Sequence, residues 1–234
     1  MLPTASEGER KGDPFASPAS LDLSLDKLDY IDFGCGTGRS TKFVGSILDG
    51  RCVGIDRSQQ AVATSNAKGY EALHGDILDI SSKNAATGGF CIDVMHDIPR
   101  LEFAKAMNNM VRSVRNFLFV QQPFFDRDTD SALDGYEING SFAKGLVSKP
   151  MIGDYLDFAS KNLDALNICG ISIFAFGVAA QTPMNFGDLR GGHPDRDPVP
   201  RTLRVLIGRK DLSRFRAALK KMAYGESLFI WERP

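Results

Sequence analysis

Short runs of β-branched and aromatic residues alternate along the first half of the chain with stretches whose apolar residues recur every three or four positions. Leu28 to Phe33 reads as a strand ending in glycines, and Phe43, Val44, Ile47 and Leu48 then mark one face of a helix. Arg51 to Ile55 predicts a second strand. Ser58 follows as a helix N-cap, with Ala61, Val62 and Ala63 inside the helix and Gly69 as its stop. Tyr70 to His74 and Phe90 to Met95 predict a third and a fourth strand. A helical face of Phe103, Met107, Met110, Val111 and Val114 comes next, and then a fifth strand over Asn116 to Val120. Strands alternating with helices predict an α/β domain, with a parallel sheet covered by helices on both faces.

The second half is less regular. Pro123 to Pro150 has no clear period, and neither does Gln181 to Pro200. Between and beyond them the pattern predicts a helix through Tyr155, Phe158, Ala159, Leu163 and Leu166, a strand over Ile171 to Val178, and a strand-like Thr202 to Ile207. A closing helix is capped by Asp211, carries Leu212, Phe215, Leu219 and Met222 on one face, and ends at Gly225 before a last run, Ser227 to Trp231. Residues 1–20 are rich in Pro, Gly, Ser and charge, which predicts a tail or a lid that orders over a ligand. Residues 21–234 then form a single domain with loop insertions near 123–150 and 181–200.

Composition narrows the function. The 234 residues carry 28 Lys and Arg against 29 Asp and Glu, a net charge of −1, and 43% are hydrophobic. That balance argues against a general binder of nucleic acid or anionic membrane. The sum hides an asymmetry, since residues 1–188 carry a net −7 and residues 189–234 a net +6. Cys35, Cys52, Cys91 and Cys169 are widely spaced and form no C-x-x-C pair, so they read as reduced thiols of a cytoplasmic protein. The three histidines, His74, His96 and His193, are too few for a His-rich metal site. No segment has the length and apolar character of a bilayer span.

The segment richest in chemistry is Asp32-Phe33-Gly34-Cys35-Gly36-Thr37-Gly38, which follows a strand and opens a helix. Glycines let the backbone turn sharply and approach a ligand closely, and the helix behind offers free N–H groups. A dinucleotide fingerprint needs G-x-G-x-x-G, whereas here the last glycine comes one position early and Arg39 stands in its place. Asp56, twenty positions after Gly36, ends the second strand where a carboxylate chelates ribose hydroxyls. Asp76 ends the third, where a carboxylate accepts the exocyclic amine of adenine and Ile77 packs on the ring. Glycine loop, ribose acid and adenine acid at three successive strand ends describe an adenosine-shaped pocket.

Between about Leu28 and Pro123 the chain resembles the class I S-adenosylmethionine-dependent methyltransferases. Asp32 to Gly38 looks like the family's first motif, Val53 to Ser58 like its acidic second-strand end, Gly75-Asp76-Ile77 like its adenine contact, and Phe90 to Pro99 like its fourth strand and following turn. The resemblance implies a Rossmann-like three-layer sandwich, mostly parallel, of about seven strands with the last antiparallel, and S-adenosyl-L-methionine as cofactor. It places Gly34, Gly36 and Gly38 around the methionine moiety, Asp56 on the ribose, Asp76 and Ile77 at the adenine, and Met95 and His96 beside the methyl group, with Asp32 and Cys35 as further cofactor-binding residues. Arg57 departs from the commoner apolar residue, and a guanidinium there can stack on adenine.

Methyl transfer needs an oriented acceptor, excluded water and, for a hydroxyl, a nearby base. His96 and Asp97 lie beyond the fourth strand and are the candidate catalytic residues. His193 sits in a loop that could fold over the acceptor. Asp126, Asp128, Asp130, Asp134 and Glu137 follow an EF-hand-like register, but Ser131 stands where the turn needs glycine, and no metal site is expected. Asp97 and Asp126 have only a positional likeness to magnesium-dependent catechol-type enzymes. No Asn-Pro-Pro-Tyr signature follows the fourth strand, which disfavours amide and adenine N-methylation. The expectation is methyl transfer to a small molecule or sugar, at oxygen, with an anionic acceptor favoured if Arg214, Arg216, Lys220 and Lys221 face the site. An RNA methyltransferase and a non-catalytic cofactor-binding regulator are the alternatives.

Overall fold

The structure is a computed structural model, and it describes residues 28–123, 148, 150–177, 200–210, 212 and 226–233. The elements in chain order are β1 (Leu28–Phe33), α1 (Arg39–Ile47), β2 (Cys52–Asp56), α2 (Gln59–Ala67), β3 (Ala72–His74), β4 (Ala86–Ile92), α3 (Phe103–Ser113), β5 (Val114–Pro123), α4 (Ile152–Asn162), β6 (Gly170–Gly177), β7 (Pro200–Gly208) and β8 (Glu226–Glu232). They build one eight-stranded sheet in the order β3-β2-β1-β4-β5-β7-β6-β8. The pairings from β3 through β5 are parallel. β7 then inserts antiparallel between β5 and β6, and β8 adds antiparallel to β6 at the edge. The last strand is antiparallel as expected, but a second strand, β7, is antiparallel too, and the sheet holds eight strands rather than about seven.

Two apolar layers flank the sheet. On one face Val44 and Leu48, from α1 and its end, pack on Tyr30, Phe90, Phe117 and Phe119. Phe90 makes edge or tilted contacts at 5.6 to 6.0 Å with the other three rings. On the other face Met107, Met110 and Val111 of α3 and Tyr155, Phe158 and Ala159 of α4 cover Ile31, Phe33, Val53, Ile55, Leu118 and Val120. Neighbouring residues of β5 thus serve opposite faces, as strand alternation requires.

β4 departs most from its predicted bounds, Phe90 to Met95. Its first half contains Gly88 and Gly89, which carry no β-strand signal. They stand there because a Cβ on Gly88 would lie 2.4 Å from Phe117 Cζ, and one on Gly89 2.7 Å from Phe33 Cε2. Asp93, at φ 58°, ends the strand early, and Met95–Asp97 forms a 3₁₀ turn. Val114, expected on the third helix, instead opens β5. Leu163 lies just beyond α4, and Leu166 is buried in the turn that follows. Phe43, expected on the buried face of α1, is 44% exposed.

The amino ends of the strands are tied by two arginines. Arg115 donates to the carbonyls of Leu28, Asn84 and Ala85 and to Thr87 Oγ1. Arg209 donates to the carbonyls of Leu166, Val111 and Val114 and to Asn84 Oδ1. The predicted tail 1–20, the carboxylates between Asp126 and Glu137, His193 and the closing helix from Phe215 to Met222 lie outside the described residues.

Candidate active site

The carboxyl ends of β1, β2, β3 and β4 meet around the glycine loop. Gly34, Gly36 and Gly38 all take positive φ (74°, 52° and 87°), so the loop has a path that L-residues resist. The loop is pinned by Gly34 N–H and Cys35 N–H donating to the Ile55 carbonyl (2.7 and 3.1 Å), by Gly38 N–H to the Cys35 carbonyl, and by Lys68 Nζ to the Thr37 carbonyl. At Gly34 an added Cβ would stand 2.3 Å from Val94 Cγ2. The loop after β1 and the turn after β4 are therefore in direct contact.

Asp32 is fully buried under this loop. Its Oδ2 accepts from Ser40 Oγ (2.6 Å) and Thr41 Oγ1 (2.7 Å), both in the first turn of α1, while Oδ1 has no hydrogen-bond partner. Burial, opposed by the two hydroxyls, raises its pKa from 3.8 to about 6. Asp56 turns back on the glycine loop: its Oδ2 accepts from Gly36 N–H and its Oδ1 from Ser58 N–H, each at 2.8 Å. Arg57 is exposed, and its carbonyl receives the Nε2–H of His74 at 3.0 Å. Asp76 caps a 3₁₀ turn, with Oδ1 accepting from Leu78 N–H at 2.9 Å. Ile77 is in the main core, and so is Met95.

Cys35 is a buried thiol beside the loop, with Sγ donating to the Gly36 carbonyl. Burial, with the Asp32 and Asp56 carboxylates nearby, pushes its pKa up to about 12, so it stays protonated and a poor nucleophile. All four cysteines are free.

A cleft of about 500 Å³ opens between the loop and the far strands, lined by Gly34 to Thr37, Arg39, Ser40 and Phe43 on one side and Ile92, Asp93, Gln121 and Arg204 on the other. Of the site residues expected from the sequence only Gly34, Cys35 and Gly36 are among its lining residues; Asp32, Gly38, Asp56, Arg57, Asp76, Ile77, Met95 and the two catalytic candidates, His96 and Asp97, are not. His96 Nδ1 is buried without a hydrogen-bond partner, and its Nε2 lies 4.0 Å from Asp97 Oδ1, whose side chain is half exposed. The His96 backbone is held by Ser148, whose N–H donates to the His96 carbonyl at 3.1 Å and whose Oγ donates to the Met95 carbonyl at 3.3 Å.

Residues 31–116, from within β1 to within β5, match the family model of the methyltransferase domain. Over these residues the chain carries a methyltransferase domain. No curated protein sequence matches it. Its fold is shared by the S-adenosylmethionine-dependent methyltransferase of Mesorhizobium loti, with 15% identity over 78% of this chain and 91% of that one and a TM-score of 0.55. It is shared also by the magnesium protoporphyrin IX methyltransferase of Synechocystis with S-adenosylhomocysteine bound, at 17% identity over 80% and 76% and a TM-score of 0.51. A third is the geranyl diphosphate C-methyltransferase of Streptomyces coelicolor, in complex with Mg²⁺, geranyl diphosphate and S-adenosyl-L-homocysteine, at 11% identity over 84% and 74% and a TM-score of 0.55. At these identities the likeness is one of fold.

Sequence reasoning missed most of the cleft lining, Arg204, Phe43 and Asp93 among it. Arg204 reaches it only because β7 runs antiparallel beside β5, setting Arg204 opposite Gln121 with Nε donating to Gln121 Oε1 at 2.8 Å. That pairing spans 83 residues and has no local signal. Phe43 was legible only as an apolar residue of a helix face. Asp93 had a detectable sign, a carboxylate closing an apolar strand run, but its positive φ is visible only in three dimensions. Among the described residues no helix is long and apolar enough to cross a membrane.

Proposed function

We propose that this methyltransferase moves the methyl group of S-adenosylmethionine to a hydroxyl of a small organic or sugar acceptor that carries negative charge. The observation that carries the reading is the cleft itself: it is of small-molecule size, and it sets Phe43 and Ile92 beside two guanidiniums, Arg39 and Arg204, and one carboxylate, Asp93. Burial lowers the Arg204 pKa to about 10, which still leaves it a cation at neutral pH.

The residues present fit the cofactor. Asp32 Oδ1 is a buried acceptor in need of a donor, beside a loop whose Gly34 would be blocked by any side chain. The methionine moiety is assigned to Asp32, Gly34, Cys35, Gly36 and Gly38. The ribose is assigned to Asp56, whose two oxygens each keep a lone pair beyond the bonds to Gly36 and Ser58, and the adenine to Asp76, with Arg57 and Ile77 on its flanks. Met95 and His96 back the site from the turn after β4. When bound, S-adenosylmethionine supplies a methyl group activated on a sulfonium. The chain orients the acceptor, excludes water and receives the acceptor's proton.

The test is calorimetry with S-adenosylhomocysteine and NAD, followed by transfer from methyl-labelled S-adenosylmethionine to a panel of phenols, hydroxy acids, sugars, amines and RNA. Binding of S-adenosylhomocysteine alone and labelling of anionic hydroxyl compounds are expected. Labelling of RNA, or binding without any turnover, would reverse the acceptor assignment.

A further inference from the structure

We propose that Asp93 is the catalytic base that receives the proton of the acceptor hydroxyl. The proposal rests on the hydroxyl-acceptor reading above and gives the proton a named destination. Asp93 is the carboxylate in the cleft lining, and it stands across from the glycine loop. Its neighbour Val94 touches that loop, since the side-chain carbons of Val94 fill the space a Cβ on Gly34 would take. A group at residue 93 is thereby held beside the place where the loop presents its ligand.

The backbone at Asp93 is also unusual. It adopts φ 58° and is fixed there by its N–H donating to the Gln121 carbonyl at 2.8 Å. A non-glycine residue in the left-handed region persists where the surrounding structure holds it, and such residues concentrate at functional sites. Here the turn aims the residue out of the strand and into the cleft.

The surroundings suit a base. Asp93 opens to the mouth of the cleft on one side, while protein on its inner side raises its pKa by burial; His96 from the following turn, Arg39 from α1 and Arg204 from β7 oppose that rise. From β5 the neutral side chain of Gln121 shares the cleft lining with it. The carboxylate is thus more basic than a solvated one. In the step itself the acceptor oxygen forms its bond to the methyl carbon as the carbon–sulfur bond breaks and leaves its electron pair on sulfur. The hydroxyl proton passes to the Asp93 carboxylate and from there to solvent. The products are a methyl ether, S-adenosylhomocysteine and a proton.

Three measurements on the full chain test this. Calorimetry with S-adenosylhomocysteine should give Asp93→Asn an affinity within threefold of wild type; a loss beyond tenfold would make Asp93 a cofactor-holding group and overturn the proposal. Carbon-13 titration of Asp93 in the S-adenosylhomocysteine complex should show it titrating above the ordinary carboxylate range, and an ordinary value would equally overturn it. Neither measurement needs an acceptor. On whichever phenol or hydroxy acid of the panel wild type methylates, Asp93→Asn should lower kcat about 100-fold or more, with KM little changed and the acidic limb of the pH profile lost. Turnover within twofold of wild type would remove Asp93 from the chemistry. A wild-type enzyme that labels amines and no hydroxyl probe would overturn the hydroxyl reading itself, and its own product distinguishes that outcome from failure at Asp93.

Discussion

Gly34→Ala probes the contact on which the whole site depends. An alanine at φ 74° sits in the left-handed region, at a cost of about 1–2 kcal/mol. Its Cβ would also stand 2.3 Å from Val94 Cγ2 and 2.8 Å from Cγ1, an overlap that must be relieved by moving either the loop or the turn after β4. Overpacking of this kind adds about 1–3 kcal/mol. The second cost is separable from the first. Val94→Ala deletes both γ carbons and leaves only the β carbon, 3.1 Å from the new methyl group, a distance that a shift of a few tenths of an ångström accommodates. Urea denaturation of wild type, both single variants and the double variant closes a thermodynamic cycle. Gly34→Ala should cost about 2–5 kcal/mol. The double variant should be about 1–2 kcal/mol more stable than the two single losses predict. Affinity for S-adenosylhomocysteine should fall in Gly34→Ala and recover in part in the double variant. Strict additivity, or a Gly34→Ala cost below about 0.5 kcal/mol, would show that the loop and the turn do not press on one another.

Other variants test the remaining parts. The Asp32 pKa is raised on folding from 3.8 to about 6, so the folded state binds the extra proton. Stability should fall as pH rises through that window and stay lowered above it, by about 3 kcal/mol at full ionisation. Asp32→Asn should therefore gain stability at pH 7.5 and not at pH 4 while losing cofactor affinity; equal gains at both pH values would refute the reasoning. Asp56→Ala removes the acceptor of two backbone N–H groups and should lower stability by about 1–3 kcal/mol and S-adenosylhomocysteine affinity beyond calorimetric detection; unchanged affinity would sink the ribose assignment. Arg209→Met strips donors from three carbonyls and Asn84 Oδ1 and should cost about 2–4 kcal/mol in denaturation. Its affinity for S-adenosylhomocysteine at low temperature should be unchanged, because these bonds lie at the opposite end of the sheet.

What the sequence revealed tracks how local each cause is. β1, the glycine loop, β2 and the Ser58 cap each announce themselves within a few residues, and Ser58 Oγ does accept from Ala61 N–H at 3.2 Å. Features that depend on a distant partner were hidden. The glycines that open β4 exist for Phe117 and Phe33, and the antiparallel insertion of β7 depends on pairings with β5 and β6. Asp76 shows a third case: the spacing that pointed to adenine also caps a turn, and one residue serves both roles if its remaining oxygen reaches the base.

The distribution of satisfied and unsatisfied polar groups gives a last argument for where the chemistry lies. At the amino ends of the strands Arg115 and Arg209 supply donors to carbonyls that the chain reversals there would otherwise leave open. At the carboxyl ends the pattern reverses. Among the described residues, the buried side-chain polar atoms without a hydrogen-bond partner are Asp32 Oδ1 and His96 Nδ1, and both lie at that end. Gly34, Gly36, Gly38 and Asp93 take positive φ there and Phe43 is exposed, although Gly50, Asn84 and Asn167 take positive φ at the other end. Each departure costs stability alone, and together they are tolerated because the far end of the sheet is so fully bonded. A polar atom buried without a partner has an unused hydrogen-bonding site, and here both such atoms stand on the side where β7 delivers a guanidinium and Asp93 a carboxylate. That convergence supports the proposed placement of cofactor and acceptor at one end of the sheet, with Asp93 between them.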